Sequence, residues 1–148
     1  MILSGCQGLV GNNKLAIFEP DTLDNVNYSD DYDLWGVIAD HQEIKVGNNS
    51  RIQSHIDWIS QRPEYLASIS KRAEPFLYLV VSEVKKEKLP IEIALLPIVE
   101  SDYYPFSYSH GTATGIWQFI PSTGKMYGLE EDWWHEDRRD VLASTKAA

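Results

Sequence analysis

The chain has 148 residues, room for one compact domain and too few for two full-sized ones at the usual ~100–200 residues each. Its 43% hydrophobic and 24% charged residues exclude global disorder. A net charge of −9 repels a phosphate polymer, so no nucleic-acid partner is expected, and one cysteine without a Cys/His cluster leaves no disulfide, no metal site and no cofactor to expect.

Residues 1–40 carry seven acids and Lys14 alone, whereas 41–89 carry eight bases against six acids. This charge shift divides the chain into a lipoprotein-like leader with acidic linker, 1–40, and a domain, 41–148. Leu3-Ser4-Gly5-Cys6 has the form of a bacterial lipoprotein cleavage site, which would make Cys6 the lipidated residue; only Met1-Ile2 precede it, so a chance match stands beside that reading. Acyl chains on Cys6 would bind a membrane without a spanning helix, and no apolar run of ~20 residues exists. Leu34, Trp35, Val37 and Ile38 read either as a short docked helix or as part of a solvated linker.

From Val46 the pattern becomes helical, with Ile52, Ile56 and Ile59 on one stripe and Pro63 as its stop. Pro63 opens a second helix with Tyr65, Leu66 and Ile69, running to about Ala73. A third starts near Pro75 with Leu77, Val80, Val81 and Val84 inward. The stretch Pro90–Ser101 is apolar nearly all round, which predicts a buried rod. Glu100 would then lie among aliphatic groups at the end of that rod, where desolvation raises a carboxyl's pKa and keeps a proton available.

Residues 101–110 contain four aromatics, Tyr103, Tyr104, Phe106 and Tyr108, among hydroxyls, a composition suited to saccharides. Gly111 and Gly115 permit close backbone approach or positive φ, and Gln118 sets an amide in an apolar run. His110 reads better as a hydrogen-bonded loop residue than as a catalyst. Trp133-Trp134 suits satellite core better than a groove border, and Arg138-Arg139-Asp140 suggests salt bridging beside a helix start at Asp140.

Taken together, Leu89–Ser101 and Gly115-Ile116-Trp117-Gln118-Phe119-Ile120-Pro121 resemble the lytic transglycosylase (SLT, goose-lysozyme-like) family over roughly residues 40 to 148. The resemblance implies a mainly α, lysozyme-like domain that cleaves the β-1,4 bond between N-acetylmuramic acid and N-acetylglucosamine, leaving a 1,6-anhydromuramic end. It assigns Glu100 as catalytic acid/base, Ser109 as the serine near the N-acetyl group and Gln118 as a cleft residue. Ser101, Tyr108, Trp117 and Phe119 complete the expected substrate-binding set. Peptidoglycan glycan strands are the expected partner, and the cell envelope the expected location: periplasmic, on the outer membrane if Cys6 is acylated. Asp102, two positions along a helix from Glu100, would point elsewhere, so one carboxylate must suffice where most glycosidases use two.

The family's Ala-Tyr-Asn element does not occur before Ala148, which reads as the first turns of a helix, so the expected domain is truncated at its C-terminus. A catalytic transglycosylase, a noncatalytic peptidoglycan-binding module and an inactive fragment are the three readings that follow.

Overall fold

The computed structural model describes residues 33–47 and 49–148, so Cys6 and most of the leader lie outside the described residues. Among these, regular structure is helical: α1 Leu34–Asp40, α2 Ser50–Ser60, α3 Pro63–Lys86, a 3₁₀ segment Ile91–Leu95, α4 Leu96–Ser101, α5 Pro121–Met126 and α6 Val141–Ala147. The β pairing is confined to isolated bridges such as Tyr108 with Thr114 and Thr114 with Phe119. The mainly α architecture is the one expected.

The two helices expected on either side of Pro75 are one. α3 runs through Pro75, which is exposed, so the hydrogen bond that proline cannot give to Lys71 is lost on the wet side. Packing holds the rod together, because Ala73, Leu77, Val80 and Val84 lie on its buried face. α3 packs against α2, the 3₁₀ segment and α6. Of the two readings of residues 34–38, the structure has the docked helix: Ile38 is in the core and Leu34, Trp35 and Val37 pack against it, capped by Asp33 accepting from Gly36 N–H at 3.0 Å.

α2 begins at Ser50 and not at Val46, since Asn49 caps it by accepting from the Ile52 N–H at 2.9 Å. Its expected apolar stripe is not a core face. Ile56, Trp58 and Ile59 are exposed, and Trp58 instead meets the Tyr65 ring edge-on at 5.3 Å with the Arg62 guanidinium 4.3 Å from its centre.

The buried rod expected over Pro90–Ser101 is a second correction. Pro97 has no N–H to bond back into the preceding turn, so a 3₁₀ turn precedes a short α4 with Pro97 in its first turn. Ile91, Ala94 and Pro97 are buried, but Leu96, Val99 and Glu100 are exposed, Val99 to 84%. Apolar composition on all sides did not mean burial on all sides.

Candidate active site

Asp102 and Tyr103 end α4 in left-handed conformations, with φ of 52° and 58°. That turn separates neighbouring side chains sharply. Asp102 is drawn to α3, where it accepts from the Tyr65 hydroxyl at 2.9 Å and pairs with Arg72 at 3.5 Å, while the Arg72 Nε–H donates to its carbonyl at 2.8 Å. Tyr103 enters the core and donates its hydroxyl to the Ala94 carbonyl at 2.5 Å, and burial pushes its phenol well above the ordinary range. It is therefore not one of the saccharide-facing aromatics that its neighbours suggest. Glu100 remains on the exposed side, which corrects the expected dry setting: the unliganded chain does not bury it.

Ser101 joins Glu100 to the second segment. Its hydroxyl lies 3.1 Å from the Pro97 carbonyl and 3.0 Å from that of Ile116, so it ties α4 to the 113–119 loop. The loop closes on itself: Thr114 Oγ1 donates to the Ser107 carbonyl at 2.9 Å, Gly115 N–H to the same carbonyl at 3.1 Å and Ser109 N–H to the Ala113 carbonyl at 2.9 Å. Ser109 Oγ accepts from Ala113 N–H at 3.2 Å. Gln118, at φ 50°, donates to the Gly115 carbonyl at 2.9 Å, and its own amide oxygen accepts no hydrogen bond among the described residues. Left-handed conformations at Asp102, Thr112 and Gln118 each cost about 1–3 kcal/mol and persist only where their surroundings enforce them.

The other expected binders divide. Tyr108 is exposed, as are Tyr104 and Phe106, which meet edge-on at 5.9 Å. Phe119 is half-buried and lies 6.4 Å from the Tyr127 ring. Trp117 faces inward: it packs on the core and donates its indole N–H to Thr145 Oγ1 at 2.9 Å, in a cavity of about 310 Å³ between α3 and α6. That bond removes its polar handle from a glycan site.

What holds the loop is the salt bridging expected at Arg138, which also reaches two distant carbonyls. Arg138, 4% exposed, uses every N–H of its guanidinium. It donates to Glu136 at 2.7 and 2.6 Å, to Glu131 at 3.1 Å, and to the carbonyls of Thr112 at 3.1 Å and Phe119 at 3.2 Å. Gly115, at φ 81°, lets the backbone of the Arg138 segment approach so closely that a Cβ would lie 1.8 Å from the Arg138 carbonyl oxygen. Gly111 meets no such demand. Asp140 caps α6 by accepting from Ala143 N–H at 2.8 Å, as expected. Trp133 and Trp134 contradict the satellite-core expectation, being 85% and 90% exposed.

The arrangement offers one solvent-facing carboxylate beside a pinned loop with a free amide acceptor and a fringe of aromatic rings. The family model of the transglycosylase SLT domain matches residues 78–148. The chain is 42% identical over 125 residues, 84% of its length and 28% of the relative's, to membrane-bound lytic murein transglycosylase D of Escherichia coli strain K12, with the same figures for the protein of that name from E. coli O6:H1. It is 48% identical over 79 residues, 53% of its length and 38% of the relative's, to an Alteromonas sp. strain M-1 protein named for tributyltin chloride resistance. The chain spans less than a third of the transglycosylase D relatives' length. The similarity to the SLT transglycosylase domain thus runs through residues 78–148, the stretch that holds Glu100, Ser109 and Gln118.

Proposed function

We propose that the chain carries the acid/base half of a peptidoglycan lytic transglycosylase site, with Glu100 as its catalytic residue. The observation that carries this reading is the divergence at the end of α4: Asp102 is committed to Arg72 and Tyr65, while Glu100 stays free beside the loop that Ser101 ties down.

A single carboxylate selects the chemistry. Glu100, protonated, gives its proton to the glycosidic oxygen as the bond to C1 of N-acetylmuramic acid breaks, and the sugar's N-acetyl group supports the positive charge at C1. The ionised Glu100 then takes the proton of the C6 hydroxyl as O6 bonds to C1. The products are a 1,6-anhydromuramic end and a free N-acetylglucosamine 4-hydroxyl. A strand laid over the exposed carboxyl supplies the cover that the free chain lacks, excluding water from it. Gln118's amide oxygen and Ser109 face the N-acetyl substituents in this reading, and Tyr108 and Phe119 the sugar faces. Ser101 holds the geometry, and Trp117 acts from within the core.

Exposure of Leu96 and Val99 beside Glu100 favours one alternative, a noncatalytic module that grips peptidoglycan without cleaving it. Both are tested together. Isolated sacculi incubated with the chain should release anhydromuropeptides, detected by mass spectrometry, and Glu100→Gln should lower release by about 10²-fold or more. Sedimentation with sacculi that survives this substitution, with no anhydro product from either chain, selects the binding module; reducing-end muramic acid as the main product rejects the mechanism. In this reading residues 1–40 are leader and linker, residues 41–148 are the N-terminal part of the catalytic domain, and acylation of Cys6 anchors the protein in the cell envelope on the periplasmic side. Among the described residues, no helix is long and apolar enough to cross a membrane.

A further inference from the structure

Holding a tryptophan in water forgoes one of the largest burial gains a side chain offers, and two adjacent ones forgo it twice. Trp133 and Trp134 are nevertheless the most exposed large apolar residues among those described. Their rings stand nearly perpendicular, at 85° with centroids 6.3 Å apart, so they present faces in two directions.

The loop beneath them is braced at each step. Asp132 Oδ1 accepts from the N–H groups of Trp134 at 2.7 Å and His135 at 2.8 Å, and Asp132 N–H donates to the His135 carbonyl at 2.8 Å. Below that turn, Glu131 and Glu136 form a bridge, and Asp137 accepts from the Glu130 N–H at 2.8 Å and contacts the His135 ring. Arg138 grips Glu131 and Glu136 while holding the carbonyls of Thr112 and Phe119. One guanidinium thus fixes the tryptophan loop to the Gln118 loop. Beside it a groove of about 650 Å³ runs from Ser122 and Lys125 to Glu130, Glu131 and Asp132, reaching the foot of the tryptophan turn.

We propose that Trp133 and Trp134 form a second saccharide-binding platform, which stacks on the apolar ring faces of a β-1,4-linked N-acetylglucosamine-type strand leaving the Glu100 site. The chemistry of the patch selects this occupant. In β-linked gluco sugars the ring substituents are equatorial, so each ring presents C–H faces that suit the negative face of an indole, while carboxylates at the rim accept hydroxyl hydrogen bonds. Glu130, Glu131 and Asp132 supply those acceptors. The same charges disfavour an anionic lipid surface, where aromatic anchors are accompanied by lysine and arginine. Tryptophan also loses little conformational freedom on binding, and the braced loop has already lost its share.

This inference rests on the proposed glycan substrate, but its readout does not depend on turnover. Chitotetraose, neutral and free of peptide, is titrated into the full chain while the indole N–H resonances are followed by NMR, Trp133 and Trp134 being assigned from their single alanine variants. Both signals should shift in a saturable manner, the shifts should persist in Glu100→Gln, and Trp133→Ala/Trp134→Ala should weaken binding about tenfold or more with Trp117 dispersion intact. Three results overturn the platform: unshifted Trp133 and Trp134 signals while sacculi still yield anhydro products; a blue-shifted emission with phosphatidylglycerol vesicles but not with chitotetraose; or a concentration-dependent dimer abolished by the double variant. Saturable shifts without any anhydro product leave the platform standing and sink the catalytic reading alone.

Discussion

A difference of two positions along the backbone separates Glu100 from Asp102, and the positive φ of Asp102 makes the two carboxylates unlike in every respect that matters: one is fastened to α3 and the other is free. The same residue-scale economy holds at Arg138, whose five acceptor contacts cannot be reproduced by a point charge. Arg138→Met should destabilise the fold by about 3 kcal/mol or more, since it strands Glu136 and the Thr112 carbonyl and cuts the tie to the Phe119 carbonyl, and Arg138→Lys should recover little of that loss. Denaturant unfolding followed at the tryptophans measures both; near-wild-type stability of the lysine variant would reject the keystone role. Glu100, Gln118 and Ser109 enter as site candidates because the resemblance carried by Leu89–Ser101 and Gly115–Pro121 proposes them. At Arg138 the salt bridging was legible in the Arg138-Arg139-Asp140 run, but its bonds to the carbonyls of Thr112 and Phe119 were not, because acceptors 26 and 19 residues away leave no local pattern. Glu100's exposure was missed for a related reason: hydrophobic periodicity says which sides of a helix are apolar and is silent on how many of them find a partner.

At the scale of elements, α3 shows packing overriding a local break. Two apolar stripes that continue in phase across Pro75 build one rod, and the proline's missing N–H leaves only the Lys71 carbonyl short of its helical partner. Reading a stop at Pro75 follows propensity; the unbroken core face of Ala73, Leu77 and Val80 is what decides. Pro97 went the other way, because α4 is too short for packing to compensate and the chain splits into a 3₁₀ turn and a single α turn or so. Pro75→Ala should therefore stabilise the protein, by about 1–3 kcal/mol from restored hydrogen bonding and propensity, and raise Tm with helix content unchanged by circular dichroism. A fall in Tm would mean that a bend at Pro75 is needed to fit the 3₁₀ segment and α6 against α3.

Over the described residues, a core organised by α3 carries two outlying structures: Glu92 fastens the 43–44 segment to it, Asp137 closes the tryptophan loop on itself, and the fold favours the ionised form of both. Burial works to raise the Glu92 carboxyl, but the N–H groups of Ile44 at 2.7 Å and Glu43 at 2.6 Å prevail and hold it below the ordinary glutamate range. For Asp137 the Glu130 N–H is the leading cause and the His135 ring adds to it, so its carboxyl also lies low. Both groups thus bind protons more weakly folded than unfolded, and the stability they contribute is present above the unfolded carboxylate pKa of about 4 and lost as pH falls through the lower folded values. Tm should stay level from pH 7 to about 5 and then drop, with the Trp133 and Trp134 fluorescence changing on the acid limb because Asp137 braces their loop. Glu92→Gln and Asp137→Asn should each lower Tm at pH 7 and make the acid limb shallower. An acid limb that runs parallel in wild type and in both variants would show that these two carboxylates do not link the outlying segments to the stability of the fold, and a tryptophan signal insensitive to Asp137→Asn would show the platform loop to be held by Asp132 and Arg138 without it.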